Sequence, residues 1–474
     1  MRHEDILTAL EEISDKHILE AEKPPKKKKR TFWKMAVAAV LVIVIGVNVL
    51  SAPMRISANT VAKASEPRMM ERPDFEKYKD RDKWKADYDA WDTERNVRNE
   101  TVKQAKTGLQ SFFTAGNCEF LQVSNNENKI WSPVNAYIGL AMTTELTEGE
   151  TQRQVLDILG AEDSDALREQ VSAVWESVYQ DNSHEICVLA NSLWLEKGLQ
   201  YNQEAMDALA YHYYASVYQG DLGSNKTNKD IAAWINNNTG KFLEDSTKGI
   251  SLSPETIMVM YSTLYFQAKW SDEFNKNNNT DDVFHAPGGD VQAEYMNKKL
   301  KQMNYYWGEN FSAVDLYLKN GSRMWFILPD EGKSVNDVLT DGTYMDMVLA
   351  GNSENSKYMK VNLSVPKFDV ASTMDLREGL KNMGATNVFN EHVTEFTKLT
   401  GDSPIYLTGA NQSVRVQIDE EGVKAAVYIE IPGAGSAAPP DEIIDFVLDR
   451  PFLFVITNDN IPLFSGCVNN PLTK

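Results

Sequence analysis

The sequence predicts an α+β protein, and three observations carry that prediction. Apolar residues recur at helical spacing between positions 101 and 160; continuous apolar runs of strand length stand at 186–194, 257–266 and 324–329; and positions 414–418 alternate with period two. Of the 474 residues, 42% are hydrophobic and 24% charged, the balance of a globular chain with a sizeable core. A formal net charge of −20 leaves no broad basic face, so nucleic acid is not an expected partner. The three cysteines, Cys118, Cys187 and Cys467, are too few for a disulfide framework.

The amino-terminal part reads as separate from the rest. Residues 4–22 carry apolar residues at the spacing of a short amphipathic helix, and residues 23–30 form a basic block. The 18 residues 35–52 are almost wholly apolar. As a helix they would span roughly 27 Å, about the thickness of a bilayer's hydrocarbon core. Basic residues ahead of an apolar span place segment 1–34 in the cytoplasm. Segment 35–52 is then a transmembrane anchor, with the folded part outside the cell membrane. The competing reading is a signal peptide cut after Ala62-Lys63-Ala64 and a secreted product, but that site lies far beyond the apolar run. Residues 53–98 are dense in mixed charge and read as a solvated helical or disordered stalk, leaving 99–474 as the folded domain.

Within that domain, Val102, Ala105, Leu109, Phe112 and Phe113 mark a first helix. Segment 128–142 passes from a short strand into a helix with Pro133 at its start, where proline is tolerated. Gly149-Glu-Thr-Gln opens another helix. Ile231, Trp234 and Ile235 are helically spaced, and the apolar run 257–266 is a long strand leading to Lys269-Trp270. Segment 361–368 alternates as a half-buried strand. The runs 452–457 and 461–467, joined by Asn458-Asp-Asn460, form a buried terminal hairpin.

Residues 414–440 are the unusual stretch. A strand (414–418) meets the turn Asp419-Glu420-Glu421-Gly422. Val423, Ala425, Val427, Ile429 and Ile431 then share one face, and Lys424, Ala426, Tyr428 and Glu430 the other. This strand pattern runs into Pro432 and the pair Pro439-Pro440, which a central strand does not admit. The segment is written both as an accessible loop and as a half-buried strand.

Asp419-Glu-Glu-Gly-Val-Lys-Ala-Ala426 resembles the reactive-loop hinge of serpins, and 446–456 (Phe-Val-Leu-Asp-Arg-Pro-Phe-Leu-Phe-Val-Ile) resembles the signature of that family. The similarity covers about 99–471, including Ser132-Pro133 and Gly149-Glu-Thr151, and with the apolar amino terminus it is to a bacterial, membrane-anchored member. The resemblance implies a large central, mostly antiparallel sheet with helices and an exposed reactive loop, 423–440. It implies an inhibitor, not an enzyme, with a target serine protease as covalent acyl partner and no cofactor. Glu420, Glu421, Gly422, Val423, Ala425 and Ala426 would form the hinge, Trp270 would close the top of the sheet, and Asn135, Ser262 and Gln412 would stand at its centre as a hydrogen-bonded polar group. The reactive bond is expected at Ser436-Ala437, whose small side chains suit an elastase- or subtilisin-like pocket. The bulk of Val427, Tyr428 and Ile429 favours the alternative, a non-inhibitory surface or binding protein on the same fold.

Other chemistry lacks support in the sequence. The six histidines show no ligand spacing for a metal, and no nucleophile elbow, phosphate-binding loop or dinucleotide fingerprint is present.

Overall fold

The computed structural model describes residues 56–65, 73, 75–122, 127–181, 186–393, 395–401, 405–423 and 442–473. The expected cytoplasmic segment 1–34, the expected anchor 35–52 and the loop residues Ala425, Ala426, Ser436 and Ala437 lie outside them. Among the described residues, no helix is long and apolar enough to cross a membrane.

In chain order the strands are β1 (Asn59–Ala62), β2 (Lys129–Trp131), β3 (Gln180–Asp181), β4 (Ile186–Glu196), β5 (Ala215–Gly220), β6 (Met258–Lys269), β7 (Thr280–Ala286), β8 (Gly289–Trp307) and β9 (Phe311–Tyr317). They continue as β10 (Arg323–Pro329), β11 (Ser356–Pro366), β12 (Phe368–Asp375), β13 (Asn411–Ile418), β14 (Gly422–Val423), β15 (Ile443–Val447), β16 (Phe452–Asn458) and β17 (Ile461–Val468). A six-stranded sheet runs β1-β5-β4-β6-β14, with β3 on β4. A nine-stranded sheet runs β15-β11-β8-β9-β10-β16-β17-β2, with β7 on β8, and β12 pairs with β13 in a ladder of their own. Most pairs are antiparallel; β4–β5 and β11–β15 are parallel.

The terminal hairpin β16–β17 lies between β10 and the short edge strand β2 of the larger sheet, and every one of its residues except the turn is buried, which is why it reads as two unbroken apolar runs. The helix Pro133–Met142 packs on this hairpin and on β6; its start at Pro133 uses the missing N–H where no intrahelical partner exists.

Within the charged stretch 53–98, the described residues include a strand and the start of a long helix. β1 adds to the edge of the six-stranded sheet, Asn59 opposite Gln219 and Ala62 opposite Val217. Asp230 accepts hydrogen bonds from the Ser57 and Ala58 amides, at 3.0 and 3.2 Å, which fixes the approach to β1. The helix Arg81–Leu121 runs without a break through position 98, capped by the Asp80 carboxylate. No Gly or Pro interrupts residues 81–107, so nothing in the backbone ends the helix where the composition changes.

Burial also leaves one carboxylate in an unusual state. Asp315 on β9 is 5% exposed, and its ion-pair partner, Arg323 on β10, stands 3.6 Å away while donating to the Gly351 carbonyl at 2.7 Å. Burial pushes the Asp315 carboxyl up to about 6, against the opposing pull of Arg323. A carboxyl raised above its unfolded value stabilises the fold below that value, and the contribution is lost as pH rises through about 6. Relative to Asp315→Asn, which stays neutral, the wild-type chain should therefore lose roughly 2 kcal/mol between pH 4 and 7. Denaturant midpoints of both proteins across that range measure it, and a flat difference curve would exclude the effect.

Candidate functional site

The six-stranded sheet ends at β6, whose outer edge is paired only at one end. Gly422 lies opposite Lys269 and Val423 opposite Ala268; among the described residues, the rest of that edge, towards Met258, faces no strand. β13, which enters the same turn from the other side, pairs with β12 on one edge and leaves its second edge likewise open. A cavity of about 30 Å³, enough for a water, lies between Leu264, Tyr265 and Phe266 on one side and 413–417 on the other. Asn135 and Ser132 also line it, and Val423 closes one end. Two strand edges that face no further strand among the described residues, separated by a slot, form a site for a further strand.

The turn between β13 and β14 is tightly held. Asp419 and Gly422 exchange both backbone hydrogen bonds, at 3.1 and 3.3 Å, so Glu420 and Glu421 occupy the tip of a two-residue connection. Gly422 has φ +149°, and a Cβ there would come within 2.4 Å of the Lys269 Cα, so no other residue fits. Trp270, almost fully buried, donates from Nε1 to the Asp419 carbonyl at 2.9 Å and from its backbone N–H to the Glu421 carbonyl at 3.1 Å. It stands beside the turn at the end of β6.

Residues remote in sequence complete this clamp. Lys367 reaches Glu420 at 2.6 Å and Glu294 at 2.8 Å, and Asn279 donates to both carboxylates. Lys269 lies 3.5 Å from Glu421. Burial pushes the Glu420 carboxyl up, but hydrogen bonds from Lys367, its own backbone and Asn279 outweigh that and hold it below its ordinary value. Lys367 and Glu294 carry no local motif; pattern reading along one chain gives no means of finding them.

Two expectations need correction. Val423 does not wait in an exposed loop to be buried by insertion: it is 5% exposed already, seated in β14 against Ala268. Nor do Asn135, Ser262 and Gln412 bond to one another. Gln412, one methylene longer than an Asn, reaches Ser132, accepting from its N–H at 2.8 Å and donating to its carbonyl at 3.0 Å. The buried Asn135 Oδ1 and Ser262 Oγ have no protein partner among the described residues. Among those residues, no group of three or more His, Cys, Asp or Glu is placed to hold a metal ion.

Comparison with known proteins agrees with this geometry. The family model described as "Serpin (serine protease inhibitor)" matches residues 111–471. Serpin-ZX of Arabidopsis thaliana is 28% identical over 374 residues, covering 74% of this chain and 94% of that protein. Among solved structures, the native state of the thermophilic serpin tengpin superposes with a TM-score of 0.68 at 24% identity, covering 77% of this chain and 93% of that one. Thyroxine-binding globulin in complex with thyroxine gives 0.63 at 21% identity, covering 77% and 99%.

Proposed function

The chain belongs to the serpin family, inhibitors of serine proteases and not enzymes, and on that premise we propose that it is a suicide substrate whose cut loop enters the slot between β6 and β13. The observation that carries this reading is the register of β14. Continued from Gly422 opposite Lys269 and Val423 opposite Ala268, it sets Ala425 opposite Phe266, Val427 opposite Leu264, Ile429 opposite Ser262 and Ile431 opposite Met260. Read from the other side, the Asp419–Gly422 pair sets Val427 opposite Val414 and Ile429 opposite Gln412. The odd-numbered residues thus share the parity of the buried Val423, Ala268, Phe266 and Leu264. The two charged residues between 423 and 431, Lys424 and Glu430, fall on the opposite parity.

The same register supports Ser436-Ala437 as the reactive bond. β6 offers partners as far as Met258, opposite Gly433, so a cut after Ser436 leaves 434–436 to run past the strand. A cut near Pro440 would leave twice as much unpaired chain. Small residues at this bond suit an elastase- or subtilisin-like protease.

We further propose that residues 35–52 anchor the chain in the cell membrane with the serpin domain outside. Cleavage after Ala64 would remove β1, whose Ala62 is 9% exposed against β5, and this disfavours the secreted form. The second reading, a non-inhibitory serpin-fold surface or binding protein, rests on the bulk of residues 427–429.

Mixing the protein with elastase separates the two. The inhibitory reading expects a covalent complex that survives denaturing electrophoresis, formed with about one inhibitor consumed per protease. Clean loop cleavage with the protease left active would overturn it.

A further inference from the structure

A basic cluster stands on the larger sheet beside the strand that leaves the loop. On β8 and β11, Lys299 lies opposite Asn362, Leu300 opposite Val361 and Met303 opposite Met359. Between those pairs a bulge sets Lys301 and Gln302 against Lys360. Leu300, Met303, Val361 and Met359 pack towards the core. The alternation therefore puts Lys299, Lys301 and Lys360 on the outer face, the first two exposed and the third half-exposed.

Their neighbours are neutralised. Lys298 pairs with Asp272 and Lys357 with Glu442, each within 2.8 Å, and Asp445 accepts from Asn362 at 2.7 Å. Lys299, Lys301 and Lys360 make no ion pair or side-chain hydrogen bond among the described residues. Like charges facing one another across a sheet are destabilising, so this cluster is not explained by the stability of the sheet. It is also against the trend of a chain with net charge −20.

Position gives it a use. Lys360 pairs with Ile443, the first residue of β15, and its N–H donates to the Glu442 carbonyl at 3.0 Å. From Ser436 to Glu442 the chain can extend about 20 Å. A protease bound at that bond covers on the order of 800 Å², a patch roughly 30 Å across. The cluster therefore lies at or near the rim of the area such a protease covers.

We propose that Lys299, Lys301 and Lys360 form an exosite that receives an acidic surface flanking the active-site cleft of the target protease. The proposal rests on the inhibitory reading for its partner. Its effect is steering: a local positive field on an otherwise repelling molecule raises the association rate for acidic proteases by about tenfold or more, and salt removes that gain.

The test uses the full chain in an uncharged detergent, with Lys299→Glu, Lys301→Glu and Lys360→Glu combined, and the three Lys→Gln changes as a milder variant. The probe is a subtilisin-type protease of acidic pI whose catalytic serine is replaced by alanine, so that binding is read without any covalent step. Wild-type chain should bind it at 25 mM NaCl and at least tenfold more weakly at 300 mM. The Gln variant should lose part of the low-salt binding and the Glu variant nearly all, with unchanged melting temperatures. A basic elastase, inert in the same way, should bind the Glu variant at least as tightly as wild type, the opposite order to the acidic probe. Equal binding of the acidic probe by wild type and the Glu variant would overturn the exosite. Failure of active elastase to form a complex would instead strike the inhibitory reading and leave this comparison of inert probes intact.

Discussion

Cutting the loop between residues 433 and 438 is expected to raise the melting temperature of the protein on the order of 10 °C or more. Among the described residues no strand covers the edges of β6 and β13 beside the slot, and the sequence that follows β14 has the alternation of a strand. While 423–440 is tethered at both ends, its upstream half cannot fill that slot along its length. Once cut, residues 424–433 can add a strand in the register already begun. Burying Val427, Ile429 and Ile431 contributes roughly 4–9 kcal/mol at 1.5–3 each, an upper bound for area bookkeeping. Each new backbone hydrogen bond contributes about 1 kcal/mol more. Val423 adds nothing to this gain, because it is buried before the cut. A gain of several kcal/mol at about 2 °C each gives the expected shift. An ordinary surface loop, once nicked, leaves stability unchanged or lower. Melting curves before and after limited elastase digestion decide the matter, and an unchanged or lower transition would remove the insertion mechanism even though the fold stands.

Replacing Val427 with arginine is expected to turn the inhibitor into a plain substrate. In the register of β14, residue 427 comes between Leu264 and Val414, both buried. An unpaired guanidinium there costs several kcal/mol, comparable with the whole gain from the apolar residues around it. The loop should still be cut at the same rate, with the covalent complex reduced at least tenfold. Glu430→Arg is the matched control. Its position takes the outward parity, beside the exposed Asn411, and its complex formation should stay near the wild-type level. Loss of the complex in the control and its survival in Val427→Arg would show that the parity is reversed.

How much of this was legible in the sequence depended on how local each cause is. The buried strands β10, β16 and β17 showed as unbroken apolar runs because both of their faces are covered, and β6 showed as a long apolar run although many of its residues are only half-buried. The turn at 419–422 showed because one glycine must stand there. β1 did not, since four residues at a sheet edge carry no period, and its neighbours resemble the charged chain around it. The helix Arg81–Leu121 was half legible: Trp84, Tyr88 and Trp91 have helical spacing, but the change in composition near position 98 read as a boundary that the backbone does not observe. The clamp on Glu420 was out of reach, because Lys367, Glu294 and Asn279 meet only through the fold. Gln412 bonds to the Ser132 backbone and not to Asn135, an effect of its side-chain length that acts only in three dimensions.

The closed turn at Asp419–Gly422 also bears on time. A hairpin forms in about 1–10 μs, and much of that wait is for its two ends to meet. Here they have met: Gly422 and Val423 are already on the ladder with β6, so the strand lengthens from a standing end with no search for register. A typical enzyme turns over about ten times a second, which leaves on the order of 100 ms before an acyl bond is hydrolysed. The opening residues of the strand are settled long before that clock runs out. On the inhibitory reading proposed above, the race between trapping and escape would therefore be run at the far end, where Pro432 and Gly433 would have to come level with Val259 and Met258 while the protease is still attached.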